Sequence, residues 1–334
     1  MQGQVIKIHS DFYYVESNKH IIFTCKIRDI LKKQKTDILV GDFVELSDDN
    51  NFIISRLERK NYILRPKAAN IDIALVVVSF KEPDIDYIQL NRYLTYLKYF
   101  NIDTAICINK EDLENNFQQR SGEIEKIYTS LKYKVFFISA KNKLGISEIK
   151  EYIKNKTIVL CGPSGVGKTT LINSLNKNYQ ARTNEVSLKT SRGRHTTRHC
   201  EIVDCENYKI MDTPGFSCLN FDFLLPDKLL ELFDDIKIFK KGCKYSNCMH
   251  DTKQKGICSI VDNLDKIEPM RYESYLEFLK ESLKYKKDIS QKSIKKEENI
   301  KNTGDKTFTK ISKRKRNLSR KTQKQSVGDY DGTI

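Results

Sequence analysis

Five short runs of alternating apolar and polar residues open the chain: Val5–His9, Phe12–Glu16, Ile21–Ile27, Phe43–Leu46 and Phe52–Leu57. A period of two marks a strand with one buried face. Turn residues separate the runs, among them Ser17-Asn18-Lys19 and Asp48-Asp49-Asn50-Asn51. Five such strands within residues 1–65 predict a small β-barrel of the OB type, although the alternation fits other small barrels too. Such barrels commonly bind nucleic acid, and Phe12, Tyr13 and Tyr14 offer rings for base stacking. By alternation at least one of the three belongs to the barrel core.

From Ile71 the pattern changes. Ile71–Ser79, Thr104–Ile108, Lys134–Ile138 and Thr157–Cys161 are short, largely apolar runs, the pattern of strands buried on both faces. Leu144–Tyr152 and the stretch opening at Thr170 read as helices, so residues 69–220 predict parallel strands with covering helices. Helical patterning returns at Pro226–Phe233 and Tyr272–Tyr285 within a third region, 221–285. Residues 286–334 are poor in apolar side chains, include Lys313-Arg314-Lys315-Arg316, and read as a largely disordered basic tail.

The chemistry sits at the ends of the predicted strands, in an unusual order. Asn109-Lys110-Glu111-Asp112 matches NKxD and ends one strand; Ser139-Ala140-Lys141 ends the next. Only then come Gly162-Pro163-Ser164-Gly165-Val166-Gly167-Lys168-Thr169, with Thr170 behind them, and later Asp212-Thr213-Pro214-Gly215. The glycine-rich stretch fits GxxxxGK[ST] in its required strand–loop–helix setting. Its backbone N–H groups and helix N-terminus would cradle phosphates. Lys168 would reach the β- and γ-phosphates, while Thr169 and Asp212 would hold Mg²⁺ and Gly215 would meet the γ-phosphate. Asp112 can accept from the guanine N1–H and N2 amine, a pattern adenine lacks, with Lys110 packed over the base. An ordinary guanine-nucleotide domain places the phosphate loop first, so this one reads as circularly permuted. Permutation is tolerable because domain termini often lie close together at the surface.

Phe216 follows Gly215, where many GTPases place a glutamine that orients the attacking water. Phenylalanine cannot do this. Lys189–Arg198 is the candidate replacement: His195 could orient water and Thr196 or Thr197 could close over Mg²⁺. An RNA-contacting basic loop is the competing reading of the same segment.

The nine cysteines are odd in number and mostly scattered through apolar runs, which suits a reducing cytoplasm better than a disulfide framework. Cys243, Cys248, His250 and Cys258 are different. Three thiolates and an imidazole within sixteen residues match one closed, structural, tetrahedral zinc site. Net charge is +15, and residues 281–334 carry +9 of it, with 16 Lys+Arg against 7 Asp+Glu. Joined to a nucleotide-binding domain, that tail points to RNA contact. The segment starting Met1-Gln2-Gly3-Gln4 has no apolar export core and no stretch is long enough to span a bilayer, so no membrane role is expected.

The permuted order together with Gly162–Thr170, Gly193-Arg194-His195-Thr196-Thr197 and Asp212–Phe216 resembles the circularly permuted, small-ribosomal-subunit-dependent GTPases, the RsgA or YjeQ/YloQ family, over roughly residues 1–285. The resemblance implies an OB barrel, a permuted P-loop GTPase domain and a C-terminal helical zinc-binding domain in one multidomain α/β chain. It assigns hydrolysis to His195 and the Mg²⁺ switch threonine to Thr197. It implies GTP hydrolysis stimulated by the small (30S) subunit during late maturation, with ribosomal RNA as partner, in a cytoplasmic monomer. Two other readings stay open: a permuted GTPase acting on another RNA particle, and a nucleotide-gated RNA-binding protein in which hydrolysis is incidental.

Overall fold

A computed structural model of the chain describes residues 1–176, 200–212 and 219–309, apart from 35, 65–66, 206, 246–247, 252–254, 298–299 and 304–305. The opening alternation becomes β1 (Gln2–His9), β2 (Phe12–Ser17), β3 (Ile22–Ile27), helix α1 (Asp29–Lys33), β4 (Phe43–Leu46) and β5 (Phe52–Arg56). β1 pairs antiparallel with β2 and β4, β2 with β3, and β4 with β5, while β3 pairs parallel with β5, which closes the barrel. Val5, Val15, Cys25, Leu31, Val44, Leu46 and Ile53 fill it. Tyr13 packs against that core, whereas Phe12 faces out with the Lys26 ammonium over its ring at 5.1 Å.

The barrel is fastened to the linker behind it by a bidentate pair. Arg59 donates to both carboxylate oxygens of Asp42, at 2.6 and 2.7 Å, and Asp42 is fully buried. The same carboxylate accepts from the Leu39 N–H at 2.7 Å. A hairpin of β6 (Tyr62–Leu64) and β7 (Lys67–Ala69) then leads into the second domain.

That domain runs β8 (Ile73–Ser79), α2 (Tyr87–Tyr99), β9 (Asp103–Asn109), α3 (Phe117–Ser130), β10 (Lys134–Phe137), α4 (Ile146–Tyr152), β11 (Thr157–Cys161), α5 (Lys168–Leu175), β12 (Glu201–Asp204) and β13 (Lys209–Asp212). The strand order is β10-β9-β8-β11-β13-β12, parallel except for β12. All seven residues of β8 are buried, as a central parallel strand between helices requires. The permutation is visible in this order: the chain goes from edge strand β10 through α4 straight to β11 in the sheet's middle. Asp86 starts α2 by accepting from the Gln89 N–H at 3.0 Å.

After Leu219 come helices α6 (Pro226–Leu230), α7 (Asp234–Lys237), α8 (Ser259–Asp262) and α9 (Pro269–Glu297). Helix α9 extends well past the expected end at Tyr285, so the segment read as tail opens helical. The reason is local: no glycine or proline occurs between Pro269 and Gly304, and the added stretch is rich in lysine, a good helix former. A short hairpin, β14 (Ile300–Thr303) with β15 (Lys306–Thr309), follows. The chain packs as two units, residues 1–219 with 230–276, and residues 220–229 with 277–334. In the second, the Phe221 N–H donates to Glu281 at 2.8 Å and its ring lies 4.8 Å from that of Phe278. Among the described residues no helix is long and apolar enough to cross a membrane.

Candidate nucleotide site and candidate metal centre

The C-terminal ends of β8, β9, β10, β11 and β13 lie side by side because these strands run parallel, and open α/β sheets bind ligands there. β11 ends in the loop 162–167, which turns into α5. Gly162 has φ +142°, and a Cβ on it would lie 2.0 Å from the Val77 carbonyl oxygen of β8. Gly167 has φ +90°, and a Cβ there would meet the Asn109 amide nitrogen at 2.4 Å. Both close approaches exclude any side chain. Gly167 is the N-cap of α5 and no side chain caps the helix, so its first N–H groups are left for an anion. Lys168 is held by the loop itself: its Nζ donates to the carbonyls of Gly162 at 2.8 Å and Pro163 at 2.6 Å. Burial lowers its pKa, and an arriving polyphosphate would offset that cost. Thr169 and Thr170 stand exposed on the first turn of α5.

Asn109 joins the three loops. Its amide donates to the Val166 carbonyl of the phosphate loop at 2.9 Å, and its carbonyl oxygen accepts from the Ala140 N–H at 2.9 Å. It is 2% exposed, so both bonds form away from water. Lys110 takes the left-handed conformation, φ 62°, and reaches the Glu82 carbonyl. Asp112 sits in the 3₁₀ turn Glu111–Leu113 that follows. Burial, then Asp112 itself, push the Glu111 carboxyl up. Ser139 receives the Asn142 N–H at 3.2 Å and closes the Ser139–Lys141 turn. Asp212 ends β13 two strands from β8, where β13 runs beside β11. The structure thus brings together Asn109–Asp112, Ser139–Lys141, Gly162–Thr170 and the backbone of Asp212. Gly215, Phe216, His195, Thr196 and Thr197 lie outside the described residues.

Sequence reading gave Asn109 to the nucleotide. It missed the clamp between loops, because the motif gives no sign that Val166 and Ala140 meet across it. A cavity of about 650 Å³ lined by Lys60, Asp72, Lys132, Lys134 and Lys156 lies at the opposite, N-terminal ends of the strands and contains no motif residue.

The second cluster is compact. One ligand atom from each of Cys243, Cys248, His250 and Cys258 lies within 4.8 Å of all the others. Cys243 Sγ is 3.8 Å from Cys258 Sγ and 3.6 Å from His250 Nδ1, and His250 Nδ1 is 3.3 Å from Cys258 Sγ. Zn–S bonds of about 2.3 Å in a tetrahedron put sulfur atoms about 3.8 Å apart. A disulfide needs about 2.05 Å, so these sulfurs are spaced for a metal and not for each other. Burial raises the Cys258 thiol and lowers the His250 imidazole, so thiolates here call for a cation. Helix α9 holds the loop: Tyr272 and Tyr275 donate to the carbonyls of His250 at 2.9 Å and Met249 at 3.2 Å. Beneath, Arg271 donates to both carboxylate oxygens of Asp235, at 2.9 and 3.0 Å, and to Asn91 of α2 at 2.9 Å. Sequence reading missed this network too, since its members are far apart in the chain.

The geometry can be set beside known proteins. The family model described as RsgA GTPase matches residues 56–222, and the RsgA N-terminal domain matches 2–52. The small ribosomal subunit biogenesis GTPase RsgA of Alkaliphilus metalliredigens is 38% identical over 288 residues, 84% of this chain and 97% of that protein. The chain belongs to the RsgA GTPase family. RsgA 2 of Listeria monocytogenes is likewise 38% identical, over 285 residues, 84% of this chain and 97% of its own. The crystal structure of YjeQ from Thermotoga maritima superposes with a TM-score of 0.70 at 30% identity, covering 84% of this chain and 98% of that one. The structure of YloQ, described as a circularly permuted GTPase, gives 0.69 at 28% identity over 85% and 95%. A model described as 50S ribosome-binding GTPase matches 157–296. It begins at β11, in front of the phosphate loop, and leaves out residues 109–141. A model with the ordinary motif order must break there in an RsgA chain. The protein is a GTPase with a barrel, a permuted P-loop domain and a cysteine-rich C-terminal cluster able to hold a metal.

Proposed function

We propose that the chain binds the small ribosomal subunit during its late maturation and hydrolyses GTP to GDP and phosphate when bound there. The clamp of Asn109 on the phosphate loop and the 139–141 turn carries the nucleotide reading, because it sets base site and phosphate site at a fixed separation. The ribosomal reading rests on membership of the RsgA family across 84% of the chain.

Gly162–Gly167 and the α5 N-terminus bind the β- and γ-phosphates, and Lys168 exchanges loop carbonyls for phosphate oxygens. Lys110 and Asp112 hold guanine, with Ser139, Ala140 and Lys141 behind it. Thr169, Thr197 and Asp212 would hold Mg²⁺, which neutralises phosphate charge when bound. Gly215 offers its N–H to the γ-phosphate, and His195 orients the attacking water that Phe216 cannot. The Cys243–Cys248–His250–Cys258 site takes one structural Zn²⁺ and does no chemistry. The barrel, residues 1–65, and the basic tail, 286–334, meet ribosomal RNA; the permuted GTPase domain is 69–220 and the zinc-binding region 221–285. The protein works as a cytoplasmic monomer. The test compares His195→Ala with the unaltered protein. GTP affinity should hold while subunit-stimulated turnover is mostly lost. Full stimulation in the variant would remove His195 from the mechanism.

A further inference from the structure

β12 and β13 form a hairpin whose open end holds two residues side by side: Glu201 is paired with Asp212. In sequence, Glu201 stands shortly after Thr197, and Asp212 opens the Asp212–Gly215 motif. Whatever fixes this end of the hairpin fixes the anchor points of both segments.

The barrel does so. β1 adds itself antiparallel to β12 through one pair, Lys7 opposite Glu201, and the Lys7 ammonium lies 2.8 Å from the Glu201 carboxylate. Strict alternation would forbid this. Val5 points into the barrel core, so Lys7, two residues on, should point in as well. A bulge between Val5 and Lys7 shifts the register, turning Lys7 outward and letting Ile8 pack on the core. Bulges commonly re-aim a side chain in this way. Two further contacts bind the same hairpin. Lys209 of β13 donates to Glu16 of β2 at 2.8 Å. A Cβ on Gly41, in the turn before β4, would lie 2.6 Å from the Met211 Cε, next to Asp212.

The Lys7 and Glu201 side chains are 43% and 28% exposed. An ion pair so exposed contributes little to stability. Its value lies in register, since cross-strand opposite charges favour one pairing and like charges oppose it.

We infer that Lys7 and Glu201 are positioning residues for GTP hydrolysis: through this pair the barrel sets the end of the β12–β13 hairpin from which both nucleotide-sensing segments depart. The inference rests on the proposed function, in which the barrel meets ribosomal RNA and the subunit accelerates turnover. A subunit that stiffens the barrel then stiffens the hairpin, and the effect is read in turnover and not in affinity.

The test uses full-length protein, purified small subunits and GTP. Lys7→Glu and Glu201→Lys should each lower the subunit-stimulated kcat by about tenfold, less than the roughly hundredfold that a misplacement of about 1 Å can cost. Affinity for the subunit and for GTP should stay within about twofold. The exchanged pair, Lys7→Glu with Glu201→Lys, should recover most of the stimulation, which ties the loss to the contact between the two residues; the fall in kcat at unchanged affinity is what a merely structural role would not give. Lys7→Met, which introduces no repulsion, should lose less than Lys7→Glu and guards against misfolding of the reversals. Full stimulation in both reversals, a loss that tracks subunit affinity, or no recovery in the exchanged pair would each overturn the inference. Absence of stimulation in the unaltered protein would instead defeat the functional reading, before any variant is compared.

Discussion

In the proposed function a single carboxylate, that of Asp112, selects the base. It stands exposed at the end of β9, positioned by the left-handed Lys110 and the turn that follows. Asp112→Asn exchanges an acceptor for a donor where guanine presents N–H groups. GTP affinity should fall about tenfold or more, by the worth of hydrogen bonds to a charged group, and xanthine nucleotides should gain. Competition among GTP, ATP and XTP checks this, and equal competition by ATP in the unaltered protein would refute guanine selection. Arg59 shows a different kind of dependence. Its partner Asp42 is fully buried, so Arg59→Ala strands a charge. The cost should be about 3–5 kcal/mol. Thermal melting of the variant measures it.

Among the elements, strands were the most legible in sequence. β1 to β5 fall close to the alternating runs, because one-sided burial imposes a period of two. The glycine-rich loop and the segments Asn109–Asp112 and Ser139–Lys141 were legible as fixed residue orders following predicted strands, and they follow β11, β9 and β10 in the structure. What stayed hidden was contact between elements: the Asn109 clamp, the Arg271–Asp235–Asn91 network and the bulge that turns Lys7. Each joins residues far apart in the chain or breaks the local period, so neither spacing nor composition registers it. The extent of α9 was missed because low hydrophobicity reads as tail even where helix-forming residues predominate. The metal cluster has its own expected outcome. Purified protein should carry about one zinc, as a closed Cys₃His set requires. Cys248→Ser or chelation should lower the melting temperature of the C-terminal region and leave GTP binding largely intact. Elemental analysis without zinc in protein never exposed to chelator would contradict the assignment.

Across the whole molecule, the charge is unevenly spread. The barrel region 1–65 carries only +2, while residues 281–334 carry +9. In the proposed function the barrel would offer shape and exposed side chains such as Phe12, and the C-terminal stretch would offer salt-dependent attraction to RNA. The cysteine-rich loop is held by α9, whose Tyr272 meets His250 and whose Arg271 meets Asn91 on α2, and the barrel is tied through Lys7 to the β12–β13 hairpin. Both outer elements thus grip the nucleotide domain at defined places. The most direct test of the account is the steady-state rate of GTP hydrolysis by the full-length protein alone, with small subunits and with large subunits. The account predicts slow hydrolysis alone, because Phe216 replaces the usual glutamine, and strong acceleration by small subunits only. Equal rates in all three, or acceleration by large subunits instead, would contradict it.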